Sequence, residues 1–129
     1  MAGKIVADQL EHSTAGSLDT QYVVNGSAKA WFNYNLNGTP AIKDSLNTSS
    51  LNDDGTGQAT VTYTNNISGS DYAIGGDTTN GNAGSTMYTM NFHTSTTSNV
   101  QMDSWYISTG NATQQDTADN RGIVMGDLA

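Results

Sequence analysis

The clearest hydrophobic pattern in the chain is a strict alternation over residues 28–36, "AKAWFNYNL". Because successive side chains of an extended strand point to opposite faces, this segment is predicted to be a half-buried β-strand. Its apolar face carries Ala28, Ala30, Phe32, Tyr34 and Leu36. Trp31 lies on the opposite, otherwise polar face, where we expect it to be covered by a second sheet or by a neighbouring chain.

Similar runs recur about every ten residues, separated by turn-forming residues. The best of them is "QATVTYT" (58–64), with Ala59, Val61 and Tyr63 on one face. Further strands are predicted at "QYVV" (21–24), "AIKDSLNTSSL" (41–51), "SDYAIGG" (70–76), "TMYTMNFH" (86–93), "NVQMDSWYIS" (99–108) and "RGIVMG" (121–126). Asn25-Gly26 is predicted to form a hairpin turn. Residues 77–85 and 109–120 are predicted to be polar loops.

About eight or nine strands with no helical period predict an all-β fold, either an antiparallel sandwich or a small barrel. We favour a jelly-roll-like sandwich over residues 21–129. Residues 1–20 differ from this body, since Ile5, Val6 and Leu10 are apolar but too few to build a core. We therefore predict an N-terminal arm that anchors the chain or joins it to sister subunits.

Charge narrows the range of partners. The 129 residues have a formal net charge of −8 and only four lysines and arginines. Such a surface repels phosphate backbones and anionic membranes, which argues against nucleic-acid binding. No apolar run reaches the roughly 18 residues of a membrane span, and the N-terminus lacks the apolar segment of a signal peptide. We expect a soluble protein made in the cytoplasm, without membrane insertion.

Catalytic and metal-binding patterns are weak. There is no cysteine, and His12 and His93 do not form a metal-ligand spacing. No nucleophile-elbow motif occurs, and Glu11 is the only glutamate. We therefore predict that the protein is not an enzyme and has no cofactor.

Calcium is the best metal candidate, through oxygen ligands of the two acidic loops. These are Asn52, Asp53 and Asp54 in one loop and Asp116, Asp119 and Asn120 in the other. Turn formation through side-chain to backbone hydrogen bonds explains the same residues without a metal.

Four large amphipathic aromatics on predicted strands are candidate contacts for a partner chain or a ligand: Trp31, Tyr88, Trp105 and Tyr106. Aromatic rings flanked by Thr-, Asn- and Gly-rich loops suit sugar stacking or a protein contact, and they suit core packing equally.

Residues 28–64 resemble a module of tailed bacteriophages, especially those of marine cyanobacteria. The matching positions are Ala28-Lys29-Ala30-Trp31, Tyr34, Gly38-Thr39, Ile42, Ser45-Leu46-Asn47, Ser49-Ser50-Leu51, Asp54-Gly55-Thr56-Gly57, Val61, Tyr63 and Thr64. The later "SDYAIGG" and the ending "GIVMGDLA" are also similar to this group. The resemblance implies a β-sandwich on the virion surface, often trimeric and without catalytic residues. Such modules often end long fibre chains, whereas here only a short arm precedes the body.

Two functional hypotheses follow. The first is a structural protein of a phage virion, either a capsid decoration or head fibre or a tail-fibre component, bound to other virion proteins through its arm and assembled as a homotrimer. The second is a carbohydrate- or receptor-binding module that contacts a host surface glycan through Trp31, Trp105 and the loops at 77–85 and 109–120.

Overall fold

The computed structural model describes residues 3, 5–81 and 87–129. Its N-terminal part is a hairpin followed by a short helix: β1 (Gln9–His12), β2 (Gly16–Asp19) and α1 (Thr20–Gly26). The side-chain amide of Gln9 donates to a carboxylate oxygen of Asp19 at 2.7 Å across the hairpin. The backbone N–H of Thr20 donates to the carbonyl of Asp8 at 2.8 Å, which ties the start of the helix to the chain before β1. No residue of β2 or α1 is buried.

The body contains nine strands within the described residues. They are β3 (Ala28–Asn35), β4 (Ala41–Leu46), β5 (Thr48–Gly55), β6 (Gln58–Tyr63), β7 (Ala73–Thr79), β8 (Met87–Ser95), β9 (Asn99–Ser108), β10 (Asn111–Gln114) and β11 (Asp119–Met125). One sheet has the order β4-β3-β11-β7. In the other, β9 pairs with β8 along one edge and with β6 and then β10 along the other edge, and β5 pairs with β6. All these pairs are antiparallel, so the predicted antiparallel sandwich is confirmed.

One hydrophobic core lies between the two sheets, as the alternation in β3 and β6 predicts. The four-stranded sheet contributes Ala30, Phe32, Tyr34 and Val124, and the five-stranded sheet contributes Ala59, Val61, Tyr63, Val100 and Met102. Leu36 and Ile67 are buried in the same cluster. The chain crosses from one sheet to the other at Asn47, whose φ of 56° is one that asparagine adopts more readily than most residues.

A buried polar cluster also joins the sheets. The Oδ1 atom of Asn120 on β11 accepts hydrogen bonds from the hydroxyls of Thr78, Ser104 and Thr117 at 2.7, 2.6 and 2.7 Å. Its Nδ2 atom donates to the backbone carbonyls of Thr117 and Tyr34 at 3.1 and 3.4 Å. Because carbonyl oxygens only accept hydrogen bonds, these two contacts fix which way round the amide lies. Ser104 belongs to the opposite sheet, so the cluster fixes the position of one sheet against the other.

Two local predictions are wrong, and the start of a third is misplaced, because residues 77–79 of the predicted loop at 77–85 belong to β7. The "QYVV" segment lies in α1 rather than in a strand, although its valines favour extended structure. The end of this helix is held by the N–H of Ser27, which donates to the carbonyl of Val23 at 3.1 Å, and by Lys29, which donates to the carbonyls of Val24 and Ser27. Asn25 and Gly26 accordingly end the helix instead of forming a hairpin turn.

The second error is the predicted loop at 109–120, which contains β10. The two residues between β9 and β10, Thr109 and Gly110, have φ values of 48° and 84°. Two positive φ angles in a two-residue connection make the tight hairpin turn whose twist matches its strands. Threonine is rare at such a position, so the sequence does not signal this hairpin.

Candidate functional site

The join between α1 and the body depends on a buried lysine. Lys29 is only 8% exposed, and its ammonium donates to the carbonyls of Val24 and Ser27 and to the hydroxyl of Ser27. A cation at the last carbonyls of a helix satisfies acceptors that the helix cannot satisfy itself. The first residues of β3 therefore position the helix and the hairpin before it.

An apolar cavity lies at this join. It has a volume of about 650 Å³, and its walls combine the helix with the ends of several body strands. Its large apolar lining residues are Val23 and Val24 of α1, Leu46 of β4, and Leu128 after β11. Each of these four side chains is at least 41% exposed. A concave surface lined by exposed valine and leucine is typical of a protein contact.

The apolar surface continues from Leu46 onto the outer face of the four-stranded sheet. Trp31 lies opposite Leu46 on one side and opposite Ile123 on the other, so the three side chains form a row across β4, β3 and β11. Met125 lies on the same face two residues beyond Ile123 and is also exposed. We call the whole surface the apolar end: Val23, Val24, Trp31, Leu46, Ile123, Met125 and Leu128.

Trp31 is half-buried on this surface. Its neighbours in β3, Ala30 and Phe32, face the opposite sheet, so the side chain of Trp31 faces outward. The described residues place no second sheet over it, and its cover by a neighbouring chain stays a prediction.

The three apolar residues predicted to anchor the arm are all exposed. Ile5, Val6 and Leu10 are 92%, 81% and 50% exposed, and Leu18 on the facing strand β2 is 48% exposed. The hairpin and helix are therefore ordered by backbone and polar contacts and bury no apolar side chain of their own. Burial of these apolar side chains against another surface would stabilise the arm further.

A second, chemically different site lies at the opposite end of the sandwich. In register, Thr113 of β10 faces Tyr106 of β9, and Tyr106 faces Tyr88 of β8. The two phenol rings have centroids 5.7 Å apart with planes inclined by 57°. Tyr106 lies on the inner face of β9, as the buried Ser104 does. Both tyrosines are nevertheless half-buried, because they lie beyond the edge of the hydrophobic core.

This row forms one wall of a groove of about 540 Å³ that we call the tyrosine groove, lined by Asn80, Tyr88, Tyr106, Thr113, Gln114 and Gln115. Asn80 comes from the end of β7 in the other sheet. Its Oδ1 atom accepts from the backbone N–H of Ala118 at 3.2 Å and from the side-chain amide of Asn37 at 3.4 Å. The described residues offer no hydrogen bond to either phenol hydroxyl or to the side-chain amide of Gln115.

The structure separates the four candidate aromatics. Tyr88 and Tyr106 meet in the tyrosine groove, and Trp31 lies at the apolar end. Trp105 lies on the outer face of the five-stranded sheet, opposite Thr89 and Gln114, so it faces away from Tyr106. Of the two loops proposed to flank a ligand, 109–120 contributes to the groove, and residues 82–85 of the other lie outside the described part of the chain. Asn80, Thr113 and Gln115 lie in the two loops proposed from the sequence, but nothing in the sequence distinguishes them from the other polar residues of those loops.

The acidic side chains proposed for calcium have hydrogen-bond partners within the protein. Asp53 accepts from the N–H of Gly55 at 3.2 Å, and Asp54 accepts from the hydroxyl of Thr60 at 2.5 Å and from the amide of Asn52. Asn52, Asp53 and Asp54 lie in β5 and not in a loop as predicted. In the second acidic segment, Asp116 accepts from the N–H of Gly57 at 2.7 Å. Asn120 is the centre of the buried cluster. Over the described residues, no group of three or more acidic or histidine side chains could hold a metal ion.

His93 makes a contact on the sheet surface. Its Nε2 atom lies 3.4 Å from Asp103, and its Nδ1 atom lies 3.2 Å from the hydroxyl of Thr94. The imidazole is 39% exposed, and Thr94 is its neighbour in the chain. The contact to Thr94 is therefore local, and the group suits a surface pair between β8 and β9. Nothing is described of the His12 side chain.

Ion pairs cross the outer face of the four-stranded sheet beyond the apolar end. Lys43 contacts Asp119 at 2.6 Å, and Arg121 contacts Asp77 at 3.1 Å and Asp119 at 3.8 Å. The hydrogen bond from the Lys43 ammonium is the main cause that holds the pKa of Asp119 below its ordinary value of 3.8; partial burial opposes it, and the charges of Lys43 and Arg121 add to it.

A lowered carboxylate pKa stabilises the folded state above the unfolded-state pKa, and this stabilisation is lost as the pH falls through the folded-state pKa. We expect Asp119→Asn to lower the thermal midpoint slightly at about pH 7 and to have a smaller effect at about pH 2, because the wild-type carboxylate loses its charge as the pH falls through its folded-state pKa. Melting curves at the two pH values check this, with Asp71→Asn as an exposed control. An equal loss at both values would mean that the effect is not electrostatic.

Comparison of the chain with protein-family models, with curated proteins and with solved structures finds no match. Over residues 3, 5–81 and 87–129, the one helix, α1, is far too short to cross a bilayer. The assignment of function therefore depends on the two surfaces described above and on the sequence resemblance.

Proposed function

We propose that this chain is a non-enzymatic structural protein of a phage virion. Its arm and apolar end bind sister subunits and the particle, as part of a capsid decoration, a head fibre or a tail-fibre component. The β-sandwich is displayed outward. The observation that carries the proposal is the arm itself: an ordered hairpin and helix whose large apolar side chains all lie exposed.

A homotrimer is the assembly that we favour. One copy cannot bury the exposed Ile5 and Val6 against its own body, whereas several copies can pool these side chains around a common axis. The cavity beside α1 and the row at Trp31 extend the same surface, so arm and body contribute to one interface. The resemblance of residues 28–64 to phage modules that are often trimeric supports the same assembly.

A charge introduced at the apolar end is expected to weaken self-association. Val24 and Leu46 are 58% and 48% exposed in the single chain, so Val24→Asp and Leu46→Asp leave the fold intact. A buried, unpaired carboxylate makes the free energy of association less favourable by about 2 kcal/mol or more, which corresponds to a dissociation constant about 30-fold larger. Sedimentation equilibrium of the two variants and the wild type measures this change.

Met87→Asp is the matched control, because Met87 is equally apolar and 62% exposed but lies near the tyrosine groove. It is expected to associate like the wild type. A wild-type protein that stays monomeric at high concentration and does not co-sediment with capsids or tails contradicts the proposal. Equal weakening by all three variants would place the interface elsewhere.

A second function, binding of a host surface glycan, is favoured by the tyrosine groove. The groove lies at the end of the sandwich opposite the arm, where a displayed domain meets its surroundings. The two functions are compatible, since a virion decoration can also attach to cells.

A further inference from the structure

We infer that the tyrosine groove is a binding site for a neutral oligosaccharide. The inference deepens the glycan-binding function proposed above by giving it a site and a ligand chemistry. It does not require the trimer.

The aromatic wall suits a sugar ring. Tyr88 and Tyr106 sit side by side in register, both half-buried, and so present ring surface at the mouth between the sheets. A pyranose has faces of C–H groups that pack on aromatic rings and a rim of hydroxyls that seek hydrogen bonds. A tyrosine meets both requirements, because its ring is apolar and its hydroxyl both donates and accepts.

The polar lining suits the hydroxyl rim. Thr113 continues the tyrosine row onto β10, Gln115 follows that strand, and Asn80 enters from the opposite sheet. Carboxamides and hydroxyls offer donors and acceptors together, which matches sugar hydroxyls of the same dual character. The carboxamide of Asn80 is already held through its Oδ1 atom by Ala118 and Asn37, so its position is set before a ligand arrives.

The chemistry of the lining selects against charged ligands. No charged side chain is among the six described residues that line the groove. Asp119 begins β11 close by, but it is paired with Lys43 and Arg121. With the chain's net charge of −8, an anionic sugar or a nucleic acid meets net repulsion, and the nearby Lys43 and Arg121 are already paired with carboxylates. The volume of about 540 Å³ lies within the roughly 300–1,000 Å³ typical of small-molecule sites.

A binding experiment tests the site. The full-length protein is applied to an array of neutral oligosaccharides built from glucose, galactose, mannose and N-acetylhexosamines, with sialylated and sulfated oligosaccharides as anionic comparators. Neutral hits are then titrated in ¹H–¹⁵N correlation spectra at low and at high salt. We expect neutral hits, affinity that changes little with salt, and amide shifts at β8, β10 and the end of β9.

Two matched pairs of variants locate the binding. Tyr88→Leu and Gln115→Ala are each expected to lower the affinity about 5- to 10-fold, since they remove one stacking ring and one hydrogen-bonding amide. Tyr22→Leu and Gln21→Ala make the same chemical changes on the exposed helix α1 and are expected to leave the glycan affinity unchanged. Trp105→Phe, on the outer face of the sheet, should also bind like the wild type.

Three results overturn the inference: no neutral glycan bound by the folded protein, a salt-dependent preference for anionic sugars, or amide shifts confined to the Trp105 face. Failure here is distinguishable from failure of the virion proposal. Val24→Asp should weaken self-association and leave the glycan affinity of each groove unchanged. Tyr88→Leu should weaken glycan binding and leave self-association unchanged.

Discussion

Replacing Asn120 by leucine is expected to lower the free energy of unfolding by about 3–5 kcal/mol. The side chain is fully buried, and the substitution keeps its branched shape while replacing the amide by two bulkier methyl groups. The hydroxyls of Thr78, Ser104 and Thr117 then lose the acceptor that they share. The hydroxyl oxygens of Thr78 and Thr117 lie 2.6 Å apart and can still form a hydrogen bond with each other. The hydroxyl of Ser104 loses its acceptor, and the backbone carbonyls of Tyr34 and Thr117 lose the amide donor.

Chemical denaturation of Asn120→Leu and the wild type measures this loss. Thr117→Val removes one hydroxyl of the cluster at nearly constant shape and is expected to cost about 1 kcal/mol. Asn91→Leu makes the same exchange as Asn120→Leu at an exposed position of β8 and is expected to change stability by less than about 0.5 kcal/mol. If Asn120→Leu unfolds at the same denaturant concentration as the wild type, the cluster does not hold the two sheets together.

Gly122→Ala is expected to cost about 2–4 kcal/mol, because a methyl group at this position overlaps the ring of Phe32. Gly122 lies directly opposite Phe32 in register, and an added Cβ meets the Cζ and Cε2 atoms of the ring closer than real contacts allow, with Cε1 at 3.1 Å. The ring cannot move aside freely, since Phe32 is 2% exposed and packs inside the core.

Gly75→Ala is the matched control. Gly75 lies on the adjacent strand β7, and an added Cβ there meets nothing within 4 Å. We expect it to change stability by less than about 0.5 kcal/mol. The double variant Phe32→Leu/Gly122→Ala should be more stable than the sum of the single changes predicts, because the smaller side chain makes room for the methyl group. Strict additivity would show that the cost of Gly122→Ala has another origin.

The alternation of β3 and β6 is the part of this fold that the sequence predicts best. Their apolar positions are the core positions, because one face of each strand meets the opposite sheet. The segment at 21–24 shows the limit of propensity. Its valines favour a strand, but carbonyl acceptors satisfied by Ser27 and Lys29 stabilise a helix there. Ser27 and Lys29 lie outside the segment, so the propensities of residues 21–24 do not include these contacts.

The candidate sites were only partly predictable. Trp105 and Tyr106 are adjacent in sequence and similar in chemistry, yet they face opposite sides of β9. Only the register, which puts Tyr106 opposite Tyr88, distinguishes them. Asn120 looked like a calcium ligand beside Asp116 and Asp119, but its neighbours in space are hydroxyls from β7 and β9. Sequence spacing cannot show that a loop asparagine becomes the buried contact between two sheets.

The apolar end and the tyrosine groove lie at opposite ends of the sandwich. If the two proposed functions hold, this arrangement affects how strongly an assembly of copies would bind a surface. Copies joined through their arms would turn their grooves the same way, away from the join. A repeating polysaccharide could then engage several grooves at once, so that each further contact forms at a high effective concentration. Avidity of this kind exceeds the single-site affinity by roughly 10²–10⁴. Weak and readily reversible binding at each groove would thus suffice for firm attachment.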